Sequence, residues 1–136
     1  MGEIIQTMTE VTSRKTNRKP SQIGRNPQAG YSLQASIWIE KNGELYLGGG
    51  RIMLLENIHK LGSISAAARS MGLGYRNAWL WINSMNQLAP SPLVVKVKGG
   101  SGGGYAQLTE EGHKALKEYK ELRKKMEVAL DSLQLD

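Results

Sequence analysis

The sequence predicts a mainly α-helical domain with small β elements, and two patterns indicate this fold class. Three stretches between residues 51 and 88 repeat apolar residues at the spacing of a helix, and a fourth such stretch follows Thr109. Short β-branched or alternating runs lie before the first stretch and between the third and fourth. The 136 residues are sized for one domain, or for one domain with a tail.

The composition narrows the class of protein. The chain has no cysteine, which excludes disulfides, thiolate metal sites and cysteine nucleophiles and fits a reducing cytosol. No apolar run approaches the roughly 20 residues that span a bilayer, so we expect a cytoplasmic protein without a membrane segment. Lysine and arginine number 18 against 12 acidic residues, and the excess lies mainly in residues 51–108. This basic stretch predicts an anionic partner.

The N-terminal region differs from the remainder of the chain. Residues 1–33 are polar and basic with only a weak apolar pattern, and we interpret them as a flexible basic arm. From residue 34 a folded domain is expected. Apolar residues at 37–39 and 45–47 flank Asn42 and Gly43, the residue pair typical of a type I′ turn. They predict a short hairpin, which we expect the glycines at 48–50 to end.

Two helices are predicted after this hairpin. Residues 51–61 form the first, and Gly62 suits its C-terminal cap. Ser63 opens a second helix of about two turns, which Gly72 ends. The residues expected to face the core are Ile52, Leu54, Leu55, Ile58 and Leu61 in the first helix and Ile64, Ala67, Ala68 and Met71 in the second.

A third helix is predicted between Gly74 and Pro90. Its core face consists of Ala78, Trp79, Ile82, Met85 and Leu88, whereas Trp81 is expected to be partly buried on another side. A short alanine-rich helix, a tight turn containing glycine and a longer helix are typical of a helix-turn-helix. Small side chains allow the two helices to pack closely, and Gly72 can adopt the positive φ that the turn needs.

A second hairpin and a long helix complete the expected domain. Val94, Val95 and Val97 predict a strand, residues 99–104 a glycine-rich tip, and residues 105–108 the returning strand, which together form a wing. Thr109 caps a final helix within residues 109–136. Its apolar stripe is either part of the core or a dimer interface, and it consists of Leu116, Tyr119, Leu122, Met126, Leu130 and Leu133. The sequence therefore predicts a winged helix-turn-helix over residues 34–108 with a long C-terminal dimerisation helix.

This arrangement predicts contacts with duplex DNA. The N-terminal turn of the third helix reaches base edges in the major groove, where Arg76 suits guanine and Asn77 suits adenine, with Tyr75 beside them. Side chains near helix ends and on the wing are expected to contact or position the phosphates, and Lys60 belongs to this group. The other members of this group are Ser63, Ser65, Arg69, Lys96, Lys98 and Ser101.

Other functions are less consistent with the sequence. The glycine-rich tip lacks the Lys-Ser/Thr pair and the following helix of a nucleotide-binding loop. His59 and His113 are far apart in sequence without a cluster of further ligands, so we expect no metal site, and we expect no cofactor and no catalytic residues. Two alternatives are a small enzyme and a winged-helix module that binds proteins, and the basic residues 51–108 argue against the second.

Several motifs in order resemble the N-terminal domain of ModE-type molybdate-responsive regulators. They are residues 62–68 (GSISAAA), 71–79 (MGLGYRNAW), 83–86 (NSMN), 99–104 (GGSGGG) and 108–112 (LTEEG). The resemblance to ModE-type regulators covers about residues 35–133. A broader resemblance, to LysR-type DNA-binding domains, is carried by residues 63–68 (SISAAA) and by the start of the long helix at residues 108–112. The resemblance implies a homodimer that binds two operator half-sites, usually ahead of molybdate-uptake genes.

Two features depart from this family pattern. Full-length members of the family carry C-terminal molybdate-binding domains, whereas this sequence ends at Asp136 after the predicted long helix, so we expect no molybdate binding by this chain. Leu80 stands where the family usually has a polar or charged residue, which affects the expected sequence preference.

Overall fold

The computed structural model describes residues 25–26, 30–98 and 105–133. The chain divides into two units, residues 35–129 and residues 1–34 with 130–136. In the second of these, strands β1 (Arg25–Asn26) and β2 (Tyr31–Ser32) pair antiparallel. The rest of the predicted arm up to residue 29, and the predicted glycine-rich tip at residues 99–104, lie outside the described residues.

The unit of residues 35–129 contains two strand pairs and four helices among its described residues. Strands β3 (Ile39–Lys41) and β4 (Glu44–Leu47) precede helices α1 (Gly49–Leu61), α2 (Ile64–Ser70) and α3 (Tyr75–Leu88). Strands β5 (Val94–Lys96) and β6 (Ala106–Leu108) follow, and α4 (Glu110–Asp131) begins directly after them and extends two residues beyond this unit. Both strand pairs are antiparallel.

The first hairpin forms around the predicted turn. Asn42 and Gly43 both have positive φ, at 52° and 81°, as a type I′ turn requires. The strand begins at Ile39 rather than at residue 37, and its register shifts between Ile39 and Glu40. The hairpin ends at Leu47, before the glycines, as predicted. The helix that follows begins two residues earlier than the predicted residue 51, because Gly49 and Gly50 form the first turn of α1.

The ends of α1 and α2 follow the predicted capping pattern. Gly62 adopts φ 66° after α1 and donates its N–H to the carbonyl oxygen of Ile58 at 2.8 Å. The Ser63 hydroxyl accepts the N–H of Ala66 at 3.2 Å and thereby caps α2. Gly72 has φ 64° in the turn before α3, a conformation that glycine adopts without strain.

The core lies between α1, α2, α3, strands β5 and β6 and the start of α4. Most of the predicted core residues of the first three helices are buried, but Leu61 is 48% exposed and was assigned wrongly. Trp79 also departs from the prediction, since it is only partly buried at the margin of the core. Trp81 is partly buried against the core, as predicted.

The beginning of α4 is fixed against the segment before β5. The Thr109 hydroxyl accepts the N–H of Gly112 at 3.0 Å and donates to the carbonyl oxygen of Pro92 at 2.6 Å. Leu116 and Tyr119 are buried in the core of this unit, and the Tyr119 hydroxyl donates to the carbonyl oxygen of Ile37 at 2.9 Å. Their assignment as dimerisation residues is corrected, because packing within the chain already covers their apolar surface.

The described residues thus form a mostly helical fold with small antiparallel strand pairs, an architecture compatible with a winged helix. Among them, no helix has the length and apolar character that crossing a membrane would require.

Candidate nucleic-acid interface

Helices α2 and α3 are joined by a turn of four residues, 71–74. The N–H groups of Met71 and Leu73 both bond to the carbonyl oxygen of Ala68, and Gly72 bonds to that of Arg69. These bonds satisfy the last carbonyls of α2 and fix the direction in which the chain enters α3. The two helices are therefore held in one relative orientation.

No acidic side chain in the first turn of α3 offsets the partial positive charge at the N-terminus of this helix. Its N-cap is Gly74, which has no side chain to accept a hydrogen bond, and its first turn contains no acidic residue. The partial positive charge of a helix N-terminus favours nearby anions. This end of α3 therefore suits an approach to a negatively charged surface.

Helix α3 has one buried face and one exposed face. Ala78, Ile82 and Met85 are fully buried. The predicted base-reading residues Arg76 and Asn77 are exposed, and so is Tyr75 beside them, at 50%. The structure brings these three residues together in the first turn of the helix, next to its free N-terminus.

Three further exposed residues of α3 were not predicted as site residues. Leu80, Asn83 and Gln87 continue from Arg76 at positions i+4, i+7 and i+11, and all are exposed. At about 100° per residue these four positions lie opposite the buried face. The same spacing rule that identified the core face could have identified this outer stripe in the sequence.

Tyr75, Trp79 and Lys96 form a cluster that connects α3 with strand β5. The rings of Tyr75 and Trp79 meet edge to face with centroids 6.3 Å apart. The Lys96 ammonium lies 4.7 Å from the centroid of the Trp79 ring, within range of a cation–π contact. The partial exposure of Trp79 is explained by this position, since one of its faces supports a cation of strand β5.

Asn86 joins α3 to the same strand by hydrogen bonds. Its side-chain oxygen accepts the N–H groups of Leu93 and Val94 at 2.8 and 3.2 Å, and its amide donates to the carbonyl oxygen of Val94 at 3.1 Å. An asparagine can both accept and donate, which this double contact with a strand backbone requires. Asn86 therefore fixes the start of β5 relative to α3, a role that the periodicity did not indicate.

The residues predicted to contact phosphates have different surroundings. Ser63 is the N-cap of α2, and its hydroxyl also lies 3.1 Å from that of Ser65. Arg69 is exposed in the last turn of α2, and Lys60 is exposed in the last turn of α1.

The paired strands β5 and β6, which were predicted to form a wing, are described without the tip at residues 99–104. Lys96 and Lys98 are exposed, and the N–H of Val97 bonds to the carbonyl oxygen of Tyr105 at 2.9 Å, just beyond the paired strands. Tyr105 also pairs with Ser63, and Ala106 donates to the carbonyl oxygen of Gly62, so the returning strand contacts the start of α2. Ser101 lies outside the described residues.

Arg51 belongs to the basic stretch but acts inside the fold. Its Nη1 atom donates to the carbonyl oxygens of Leu45 and Tyr46 at 2.8 and 3.1 Å and to the Ser84 hydroxyl at 3.1 Å. Burial lowers the pKa of Arg51 from its ordinary value. This guanidinium holds β4 against α3, so its charge should not be counted toward the exposed basic surface.

The two histidines are closer in space than their sequence positions suggest. The rings of His59 on α1 and His113 on α4 meet edge to face with centroids 4.9 Å apart. Within the described residues, no group of three or more histidine, cysteine, aspartate or glutamate side chains is placed to hold a metal ion. The histidine pair is therefore a contact between two helices without the further ligands of a typical metal site.

The mostly helical fold and the exposed face of α3 are compatible with a winged-helix domain. No protein-family model matches the chain. A molybdenum transport protein, ModE, from Azotobacter vinelandii is 47% identical over 87 residues, which are 64% of this chain and 32% of that protein. The DNA-binding transcriptional dual regulator ModE of Escherichia coli K12 is 41% identical over 93 residues, 68% of this chain and 36% of that protein.

A relative with another name is similar over a comparable length of chain. The molybdenum-pterin-binding protein MopA of Rhodobacter capsulatus is 42% identical over 80 residues, 59% of this chain and 30% of that protein. The chain thus spans about a third of the length of the curated relatives it matches. The resemblance to ModE-type regulators is confirmed over the 87 and 93 residues that match the two relatives named ModE. The relatives are named as regulators and as molybdenum transport or binding proteins, not as enzymes.

Proposed function

We propose that α2 and α3 form a helix-turn-helix, that β5 and β6 form its wing, and that the chain binds duplex DNA as a sequence-specific transcription regulator. The observation that carries this proposal is the exposed face of α3, which lies beside a free helix N-terminus and opposite a fully buried face. A rigid helix with one exposed outer stripe fits the width of the major groove.

The roles of the side chains follow from where they lie. Arg76 and Asn77 in the first turn of α3 contact guanine and adenine, since their planar groups form paired hydrogen bonds with these bases. Exposed cations contact phosphates and contribute affinity without sequence preference. They are Lys60, Arg69, Lys96 and Lys98.

The genes under control are proposed from the names of the relatives. The Escherichia coli relative is named a DNA-binding dual regulator and the Azotobacter relative a molybdenum transport protein. We assign this chain to the regulation of molybdenum-related genes in the cytoplasm. Direct molybdate binding by these residues is not part of the proposal, and no catalytic role is assigned.

A homodimer is part of the same proposal. A single module of this size contacts too few base pairs to specify one genomic site, whereas two copies read two half-sites. On α4, Leu122 is 45% exposed and Met126 is half-buried, so both retain surface for a second copy. Leu130 and Leu133, the other members of the predicted stripe, belong to the other unit.

The proposal is tested with DNA recovered with the purified protein. Sequencing of that DNA should reveal an enriched motif, and binding to a duplex with that motif should exceed binding to a scrambled duplex. Affinity should fall by orders of magnitude between about 50 and 200 mM salt, because bound cations release counterions from the phosphates. A flat salt profile, or no enrichment of any fragment, would remove the proposal.

A second candidate is a winged-helix module that binds a protein. Leu80 and Tyr75 favour it, since both large side chains are at least half exposed on the same helix. This alternative expects no enriched DNA motif and no salt-dependent affinity for duplex DNA, so the same experiment separates the two candidates.

A further inference from the structure

The outer stripe of α3 has an apolar side chain at its centre. Arg76, Leu80, Asn83 and Gln87 follow one another at helical spacing, and Leu80 is 54% exposed between polar neighbours. Single exposed leucines are common on protein surfaces and need no explanation by themselves. The inference depends on the position of Leu80, because this stripe is the part of α3 that faces the bases if α3 occupies the major groove.

Leucine limits what can lie against it in the groove. It neither donates nor accepts a hydrogen bond, so a base edge that presents only donors and acceptors would lose water without gaining a partner. The major-groove edges of guanine, cytosine and adenine present such polar groups, whereas thymine also presents its 5-methyl group. An apolar side chain at this position therefore favours thymine.

We propose, on the basis of the function proposed above, that Leu80 selects a thymine by contact with its 5-methyl group. The chain rises roughly 6 Å along the helix axis from Arg76 to Leu80. Since base pairs are stacked about 3.4 Å apart, the selected thymine lies within about two base pairs of the guanine that Arg76 contacts. The stripe thus combines a polar contact and an apolar contact on neighbouring base pairs.

The test removes the methyl group and nothing else. Each thymine of the enriched motif is replaced in turn by deoxyuridine, and affinity is measured for the unaltered chain and for Leu80→Ala. The affinity of the unaltered chain should fall about fourfold when deoxyuridine replaces the thymine at one position of each half-site. This is the loss expected when the burial of one methyl group is removed. Leu80→Ala should bind the thymine and deoxyuridine duplexes equally at that position.

A matched control is available on the first hairpin. Leu45 is an exposed leucine on β4, outside α3, and Leu45→Ala should keep the full sensitivity to deoxyuridine. Urea unfolding of both variants shows whether either substitution changes stability, which we expect to remain within about 0.5 kcal/mol for exposed positions.

The outcomes separate this inference from the proposed function. If no DNA fragment is bound, the proposed function fails and the inference fails with it. If DNA is bound but deoxyuridine has the same effect on the chain and on Leu80→Ala, the proposed function stands and the role of Leu80 is wrong. Loss of methyl sensitivity in Leu80→Ala alone establishes Leu80 as a specificity residue.

Discussion

Arg51 and Arg76 carry the same charge, but the structure gives them different roles. The Arg51 guanidinium is partly buried and bonds to β4 and to α3, whereas Arg76 is exposed in the first turn of α3. The number of basic residues in a stretch therefore overstates the charge available to a partner. The exposed fraction of each side chain and its hydrogen bonds decide which cations can face DNA.

For a single residue, Arg76→Ala tests whether Arg76 contacts a base and thereby distinguishes DNA sequences. The substitution should cost about 1–3 kcal/mol on the preferred duplex and little on a scrambled one, because a lost paired contact to a base removes discrimination. Lys98→Ala should weaken binding to both duplexes by a similar factor, since phosphates carry no sequence information. It should also reduce by about one the slope of the logarithm of affinity against the logarithm of salt concentration. Binding curves on both duplexes at two salt concentrations measure these effects.

The control for the charge change is Lys125→Ala, which removes an exposed cation from α4 and should leave both affinities near those of the unaltered chain. The roles of Arg76 and Lys98 are reversed if Arg76→Ala lowers the affinity for both duplexes equally while Lys98→Ala changes the preference for one duplex over the other. In that case the wing, not α3, distinguishes the sequence.

Tyr46 predicts a dependence of stability on alkaline pH. Burial, and then the carboxylates of Glu111 and Glu118, raise the pKa of its phenol above the ordinary value of about 10. The folded state therefore holds this proton more tightly than the unfolded state does. The stability that results is complete below about pH 10 and is lost as the pH rises through the folded pKa.

Urea unfolding at about pH 8 and about pH 11 measures this loss, and Tyr46→Phe should reduce the difference between the two pH values. Tyr75→Phe removes the same hydroxyl group from an exposed position and serves as the matched substitution. Equal pH dependence in the Tyr46 variant and the unaltered chain would contradict this explanation.

At the scale of elements, the position of the wing depends on α3 through Asn86. Asn86→Ala removes three hydrogen bonds to the backbone of Leu93 and Val94. It should lower the free energy of unfolding by about 1–3 kcal/mol, because backbone groups at the start of β5 lose their partners. Asn83→Ala makes the same chemical change at an exposed position and should cost no more than about 0.5 kcal/mol. Similar losses in both variants would show that Asn86 is not the anchor.

The packing of α4 depends on a glycine in its first turn. A Cβ on Gly112 would collide with the carbonyl oxygen of Leu93, which is backbone and cannot rotate away. Gly112→Ala should therefore lower the free energy of unfolding by about 1–3 kcal/mol, although alanine favours helices over glycine by about 1 kcal/mol. Gly74→Ala is the comparison, because a Cβ there meets only Asn77 at 3.9 Å. A more stable Gly112 variant in urea unfolding would refute the close approach.

At the scale of the whole molecule, the proposed dimer is tested by mass in solution. Sedimentation should report twice the chain mass of 15.0 kDa at micromolar concentration. Leu122→Asp should shift the protein toward the monomer, because a carboxylate would lose water in an apolar interface. Val128→Asp changes an exposed residue outside the predicted stripe and should leave the dimer intact. A monomer that binds DNA as a monomer would contradict the proposal.

Much of the candidate site could be predicted from the sequence, since Arg76 and Asn77 lie where a helix beginning after Gly74 places them. Leu80, Asn83 and Gln87 were accessible to the same periodicity but lay outside the expected first turn. Asn86 and the contact of Lys96 with Trp79 were not accessible, because each depends on how strand β5 packs against α3. Periodicity describes one element at a time and contains no information about its neighbour.

Within residues 35–129, the sequence by itself determined the order of the elements, the ends of the helices at Gly62, Ser63 and Thr109, and the first turn at Asn42 and Gly43. The pair of β1 and β2 was not predicted, because residues 1–33 were interpreted as a flexible arm. Capping and turn formation depend on residues only a few positions apart, so local patterns are sufficient for them. The tertiary structure alone decided which apolar faces are covered within the chain. Tyr119 could not be assigned to the core or to a dimer from its stripe, because burial depends on packing against residues distant in sequence, here as far as Ile37.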